Sequence, residues 1–291
     1  MNDFTGESAV SSEERQVVAN SDHHSEPTFV FVHGGWSSGF NFHQVVTQLV
    51  TAGRRALALD LPGHGQQARY PESYLSQDLE AFKTEPSPSR DITLESCVRY
   101  VTDVVTKIAR TTGPVFLLGH SSGGIIIGKV ANEVPQFIHR LVYMGAYMIV
   151  DRPSAVDYFD PRGIFPGVEE LGVLRVNWRS PETRAQLKPA LFPLSDDATF
   201  TAFSNTWQPD FPFQILTAPS QVEKDTWGLL SRTYIRFEND GNIQPAMQDK
   251  LIAAADALTP KNKTDVHSVP GGHVDPFAAP SQLVKILLKL S

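Results

Sequence analysis

The amino-acid pattern predicts an α/β fold, with a mostly parallel central sheet flanked by helices and interrupted by an inserted region. Three observations carry this. Short runs that are apolar at nearly every residue alternate with stretches of helical periodicity. Strands apolar on both faces belong in a sheet covered on both sides. Between two such apolar stretches sits Gly119-His120-Ser121-Ser122-Gly123, a Gly-x-Ser-x-Gly pentapeptide that reads as strand, sharp turn, helix.

The elements follow in order. Residues 1–26 are rich in Ser, Glu and Asp and lack periodicity, so they read as a flexible tail with His23 and His24 solvated. Thr28–Val32 is a buried strand, 39–52 a helix, and Arg55–Leu59 a second strand closed by Asp60-Leu61-Pro62-Gly63-His64-Gly65. A polar, Pro-containing stretch runs to about residue 91. Thr93–Arg110 reads as a helix, with Thr93 at its first turn and Glu95 close behind. The strand Pro114–Leu118, the helix after Ser121 and the strand Ile138–Met144 follow. Residues 149–228 break the rhythm with many prolines, Trp178, Trp207, Trp227 and weak helical pieces at 181–190 and 196–204, and read as an insertion. The rhythm then resumes with strand Thr233–Phe237, helix 244–257, strand Asp265–Val269 and a final helix from about Pro280. The predicted organisation is a tail over 1–26, a core over 27–148 and 229–291, and an inserted cap over 149–228.

Composition narrows the function classes. Apolar content of 41% and charged content of 20% describe an ordinary globular chain. A net charge of -7 over 291 residues argues against nucleic acid or an anionic membrane as the main partner. The single cysteine, Cys97, lies in a helical pattern and reads as a small core residue. No apolar run approaches a membrane span, and the first residues have neither the basic nor the apolar region of a signal peptide, so the expected setting is cytoplasmic.

A serine hydroxyl is a weak nucleophile at neutral pH and needs a base, usually histidine, itself oriented by a carboxylate. In open α/β sheets such groups gather at the carboxyl ends of strands. Ser121 follows one predicted strand, Asp240 follows the strand ending at Phe237, and His273 follows the strand ending at Val269. Their order is therefore Ser, Asp, His, all on one sheet edge. For the carboxylate, Glu238 and Asp151 are rivals, with Asp240 preferred. His33 reads as a loop-bonding residue, His64 and His120 as structural or pocket-lining, and His139 and His267 as packing residues within strands. No His/Cys/Asp/Glu cluster has metal-ligand spacing and no Gly-x-Gly-x-x-Gly occurs, so neither metal nor cofactor is expected.

With these residues in hand, the chain from about residue 27 onward resembles the α/β-hydrolase superfamily. Within it, the chain is similar to the group of plant methylesterases, hydroxynitrile lyases and bacterial esterase relatives. The matching pieces are Phe31-Val32-His33-Gly34-Gly35-Trp36, Leu59-Asp60-Leu61-Pro62-Gly63-His64-Gly65, the pentapeptide, Asp240 with Pro245 downstream, and Gly271-Gly272-His273. The resemblance implies a catalytic triad of Ser121, Asp240 and His273. It also implies an oxyanion hole from the backbone N–H groups of Gly35 and Ser122, with Trp36 and His120 as pocket candidates and a cap over the site. The implied activity is cleavage of a small or medium hydrophobic ester or lactone, with a homodimer as a possible assembly. Cyanohydrin cleavage is disfavoured, because lyase relatives carry lysine after the catalytic histidine and threonine after the first loop's histidine, where this chain has Val274 and Gly34. A carbon–carbon lyase or cyclase using the same triad, and a slow-turnover small-molecule receptor, remain as alternatives.

Overall fold

The computed structural model describes residues 26–290, so His23, His24 and nearly all of the expected tail lie outside the described residues. Six strands form one sheet: β1 (Phe29–Val32), β2 (Ala56–Leu59), β3 (Val115–Ser121), β4 (Ile138–Ala146), β7 (Ser231–Phe237) and β8 (Asp265–Val269), in spatial order β2-β1-β3-β4-β7-β8. Every pairing is parallel, with Phe31 opposite Ala58 on one side and Leu118 on the other. β5 (Val173–Arg175) and β6 (Asp210–Pro212) form a separate antiparallel pair inside the insertion. The longer helices are α1 (His43–Thr51), α2 (Leu94–Thr112), α3 (Gly123–Glu133), α4 (Pro181–Leu191), α5 (Asp197–Ser204), α6 (Pro245–Leu258) and α7 (Ser281–Leu287).

The apolar runs make a two-faced sheet because successive strand side chains point to opposite faces. Val30, Val32, Leu117, Leu141 and Tyr234 join one buried cluster with Cys97, Val101 and Val105 of α2, Ile126 of α3 and Leu251 of α6. Phe29, Phe31, Phe116, Leu118, Val142 and Ile235 join the other with Val45 and Leu49 of α1 and Leu283 and Leu287 of α7. Cys97 is thus a core residue. Thr93 caps α2 through a reciprocal pair, its hydroxyl accepting from the Ser96 N–H while the Ser96 hydroxyl accepts from the Thr93 N–H; Glu95 takes no part in that box.

Several local expectations shift. The helix expected over 39–52 opens with a tight 3₁₀ turn, Gly39–Phe42, before α1. The stretch before residue 91 holds two short helices, Glu72–Ser76 and Leu79–Phe82, whose apolar residues are too few to leave a periodic signal. His139 is solvent-exposed against the edge of the Phe116 ring, and His267, on the sheet's edge strand, faces the Asp265 carboxylate at 3.0 Å; neither packs in the core. No helix among the described residues is long and apolar enough to cross a membrane.

Candidate active site

Parallel strands deliver their carboxyl ends to one edge, and four of them meet there: β1 with Gly34 and Gly35, β3 with Ser121, β7 with Asp240 and β8 with His273. Ser121 ends β3 with φ of 54°, a left-handed conformation that disfavours non-glycine residues by about 1–3 kcal/mol. The neighbours that permit it are glycines by close approach. A Cβ at Gly34 would lie 2.6 Å from the Ser121 Cβ, and one at Gly123 would lie 2.5 Å from the Val32 carbonyl oxygen. The turn is held by the Tyr147 N–H, which donates to the Ser121 carbonyl at 3.1 Å.

His273 Nδ1 meets Asp240 Oδ2 at 2.8 Å, with both side chains buried. The other carboxylate oxygen, Oδ1, accepts from the N–H groups of Asn242 and Ile243, each at 2.8 Å, which locks the acid's orientation. His120 Nε2 lies 2.9 Å from the His273 carbonyl, so this ring supports the histidine loop while lining the cavity. His273 Nε2 lies 3.2 Å from Asn242 Nδ2, and no hydrogen bond joins it to Ser121 among the described residues. An Nδ1–H donated to Asp240 leaves Nε2 as an acceptor for the Asn242 amide and, on displacement of that amide, for the serine hydroxyl. Of the rival carboxylates, Glu238 is exposed and Asp151 is exposed and bound to the Tyr158 hydroxyl.

The N–H groups of Gly35 and Ser122 find no acceptor among the described residues. The Ser122 N–H stands at the start of α3, where the helix dipole favours negative charge. His33 anchors the loop after β1, with Nδ1 2.8 Å from the Gly34 carbonyl and Nε2 accepting from the Leu61 N–H at 3.1 Å. Burial pushes the His33 ring well below the usual imidazole range, helped by the adjacent His64. His120 is likewise pushed well down by burial and then by its proximity to His273, and burial lowers His64 to about 4.

A cavity of about 90 Å³ opens onto Ser121, His273 and Gly35. Its roof is apolar, with Phe165, Val176, Trp178, Leu187 and Trp207 drawn from the insertion. Trp36, held at φ of 58°, lies 5.6 Å from Phe165 and 6.0 Å from Trp178, ring centre to ring centre. Several lining residues escape sequence reasoning, among them Ser37, Phe165, Val176, Leu187 and two amides, Asn41 and Asn242. Asn242 sits two residues after Asp240 on the same turn, which is the one local signal that could have found it. Asn41, a polar residue between Phe40 and Phe42, leaves a fainter one. Among the described residues, no group of three or more His, Cys, Asp or Glu side chains could hold a metal ion.

The alpha/beta hydrolase family model matches residues 29–286. The chain belongs to the alpha/beta hydrolase family. Among curated members of that family, a chloroplastic methylesterase-like protein of Arabidopsis thaliana is 24% identical over 90% of this chain and 56% of its own length. A carbendazim-hydrolysing esterase of a Nocardioides strain is 32% identical over 41% of this chain and 42% of its own. The chain thus spans about half the length of the first curated relatives it matches. Among solved alpha/beta hydrolases, polyneuridine aldehyde esterase superimposes with a TM-score of 0.67 at 19% identity, covering 91% of this chain and 98% of that one. An extracellular member from a Paenibacillus species gives 0.69 at 18% identity over the same shares. At these identities the two structures speak for the fold.

Proposed function

We propose that this alpha/beta hydrolase is a carboxylic ester hydrolase that cleaves a small hydrophobic ester or lactone through an acyl-enzyme. The observation that carries the proposal is the buried His273–Asp240 pair beside a serine held in a strained turn, under an apolar roof. Ser121 Oγ attacks the acyl carbon while His273 Nε2 takes its proton, and Asp240 stabilises the resulting imidazolium. The tetrahedral oxyanion is received by the Gly35 and Ser122 N–H groups, each worth about 3–4 kcal/mol to such a state. Collapse expels the alcohol, which receives the proton from His273. Water, deprotonated by the same nitrogen, then cleaves the acyl-serine and returns the free enzyme and the carboxylic acid.

A cavity of about 90 Å³ favours the small end of the substrate range, being smaller than an engineered apolar cavity of about 150 Å³ that takes up benzene. The relatives named as esterases support ester cleavage in general. Val274, buried and apolar beside His273, provides no cation to stabilise a leaving cyanide.

The test is stopped-flow release of p-nitrophenol from p-nitrophenyl acetate and butyrate, for the native chain and Ser121→Ala. Sustained turnover that vanishes in the variant is expected. A single stoichiometric burst from the native chain, or equal rates in both, would overturn the assignment.

A further inference from the structure

The cavity's aromatic roof presents only carbon, because each of its indole N–H groups is already engaged. Trp36 Nε1 donates to the Leu174 carbonyl at 3.0 Å, Trp178 Nε1 to the Gln208 carbonyl at 3.0 Å, and Trp207 Nε1 to Asn41 Oδ1 at 3.2 Å. The other polar side chains around the cavity are committed too. Ser37 Oγ donates to the Gly34 carbonyl, His120 Nε2 pairs with the His273 carbonyl, and the Asn242 amide faces His273. Asn41 stands apart from this pattern. It is 97% buried by its 3% exposure, lines the cavity, and follows the oxyanion loop in the Gly39–Phe42 turn.

The orientation of the Asn41 amide is determined chemically. An indole N–H can only donate, so the atom that faces Trp207 must be the amide oxygen. Nδ2 is therefore turned away from Trp207, and it has no hydrogen-bond partner among the described residues. It is also not sealed from solvent-sized space as the orphaned polar atoms of this chain are. Water can meet this donor in the free cavity, but a substrate that displaces the water without offering an acceptor leaves it unpaired at a cost, so the site is matched to a ligand that satisfies it.

We propose that Asn41 is a specificity-determining residue whose amide N–H₂ receives one hydrogen-bond acceptor oxygen, keto or ether, carried on the otherwise apolar acyl group of the substrate. The inference rests on the esterase reading above and refines its substrate class. A plain alkyl ester fills the same space but leaves the donor unpaired, so it is the poorer substrate.

The experiment compares kcat/KM for p-nitrophenyl valerate with p-nitrophenyl levulinate and β-methoxypropionate, which carry oxygen at the fourth position of the same five-atom chain, as a keto group on it or as an ether within it. Each value is divided by the ester's rate with hydroxide. The native enzyme is expected to prefer at least one oxygenated ester by roughly fivefold or more. That preference should fall to near unity in Asn41→Leu and in Asn41→Leu/Trp207→Phe, the second variant removing the indole N–H left unpaired in the first. A structural defect alone would slow all three esters together and leave the ratio unchanged. No preference in the native enzyme, or a preference that survives in both variants, overturns the proposal. If none of the esters turns over, the esterase reading fails by itself. The inference is then decided by equilibrium binding of methyl levulinate against methyl valerate to Ser121→Ala with and without Asn41→Leu. Tighter levulinate binding that depends on Asn41 supports it, and equal binding refutes it.

Discussion

At the residue scale, the imidazoles of His33, His64 and His120 stand behind the site as neutral scaffolding. Each is buried and has at least one ring nitrogen within hydrogen-bond distance of backbone. Burial holds their folded-state pKa values below that of free imidazole, and His64 reaches about 4 against 6.5. Folding is therefore favoured by the neutral rings above the unfolded value, and this contribution fades as pH falls from about 6.5 toward about 4. For His64 alone that contribution is about 3 kcal/mol. The urea midpoint is expected to drop clearly between about pH 7 and about pH 4.5, with His64→Phe flattening the dependence. An unchanged midpoint in the native chain would show that these rings accept protons without penalty.

At the element scale, the site depends on how closely α3 crosses β1. With Gly123 backed directly on the Val32 and His33 carbonyls, at 2.5 and 2.7 Å from where a Cβ would sit, the first turn of α3 has no slack. Gly123→Ala must push backbone against backbone, and overpacking of this kind typically costs about 1–3 kcal/mol. It also displaces the Ser122 N–H, so the variant should lose the proposed esterase activity by far more than its thermal melting point suggests. Parent-like hydrolysis in a folded Gly123→Ala chain would argue that this N–H does not receive the oxyanion. The pentapeptide's glycines were legible in the sequence because the Gly-x-Ser-x-Gly spacing is local. The crowding partner, a carbonyl on another strand, was not.

At the scale of the whole molecule, the insertion is fastened to the core at several points that surround the site. The Ala190 and Leu191 carbonyls at the end of α4 accept from the N–H groups of Gly241 and Val274, on the loops that carry Asp240 and His273. The Trp36 carbonyl accepts from the Gln208 N–H. Farther out, Arg175 of β5 grips Asp210 of β6 through two bonds of 2.7 Å and also donates to the Phe82 and Glu85 carbonyls, at 2.6 and 2.8 Å. The pair is 5% and 2% exposed, so Arg175→Met strands a buried carboxylate and is expected to destabilise the chain by about 3–5 kcal/mol. Replacing both partners, as Arg175→Met/Asp210→Leu, should recover much of that loss. Denaturant melts of the two variants decide it, and a harmless single substitution would mean the pair is dispensable.

The sequence by itself determined what depends on near neighbours in the chain. Alternating apolar runs dictate a parallel sheet buried on both faces, and such a sheet gathers the ends of β3, β7 and β8 on one edge, with Ser121, Asp240 and His273 after them in order. Contacts between distant segments were decided only by the tertiary structure. Glu238 and Asp240 differ by two residues, yet only the second turns inward to the imidazole. Arg175 and Asp210 look like ordinary surface charges until β5 and β6 pair. Asn41 becomes an oriented donor only because Trp207, 166 residues away, claims its oxygen. Periodicity and turn sterics act over a few residues, whereas the path of a Pro-rich insertion over the sheet edge is chosen by the packing of the folded whole.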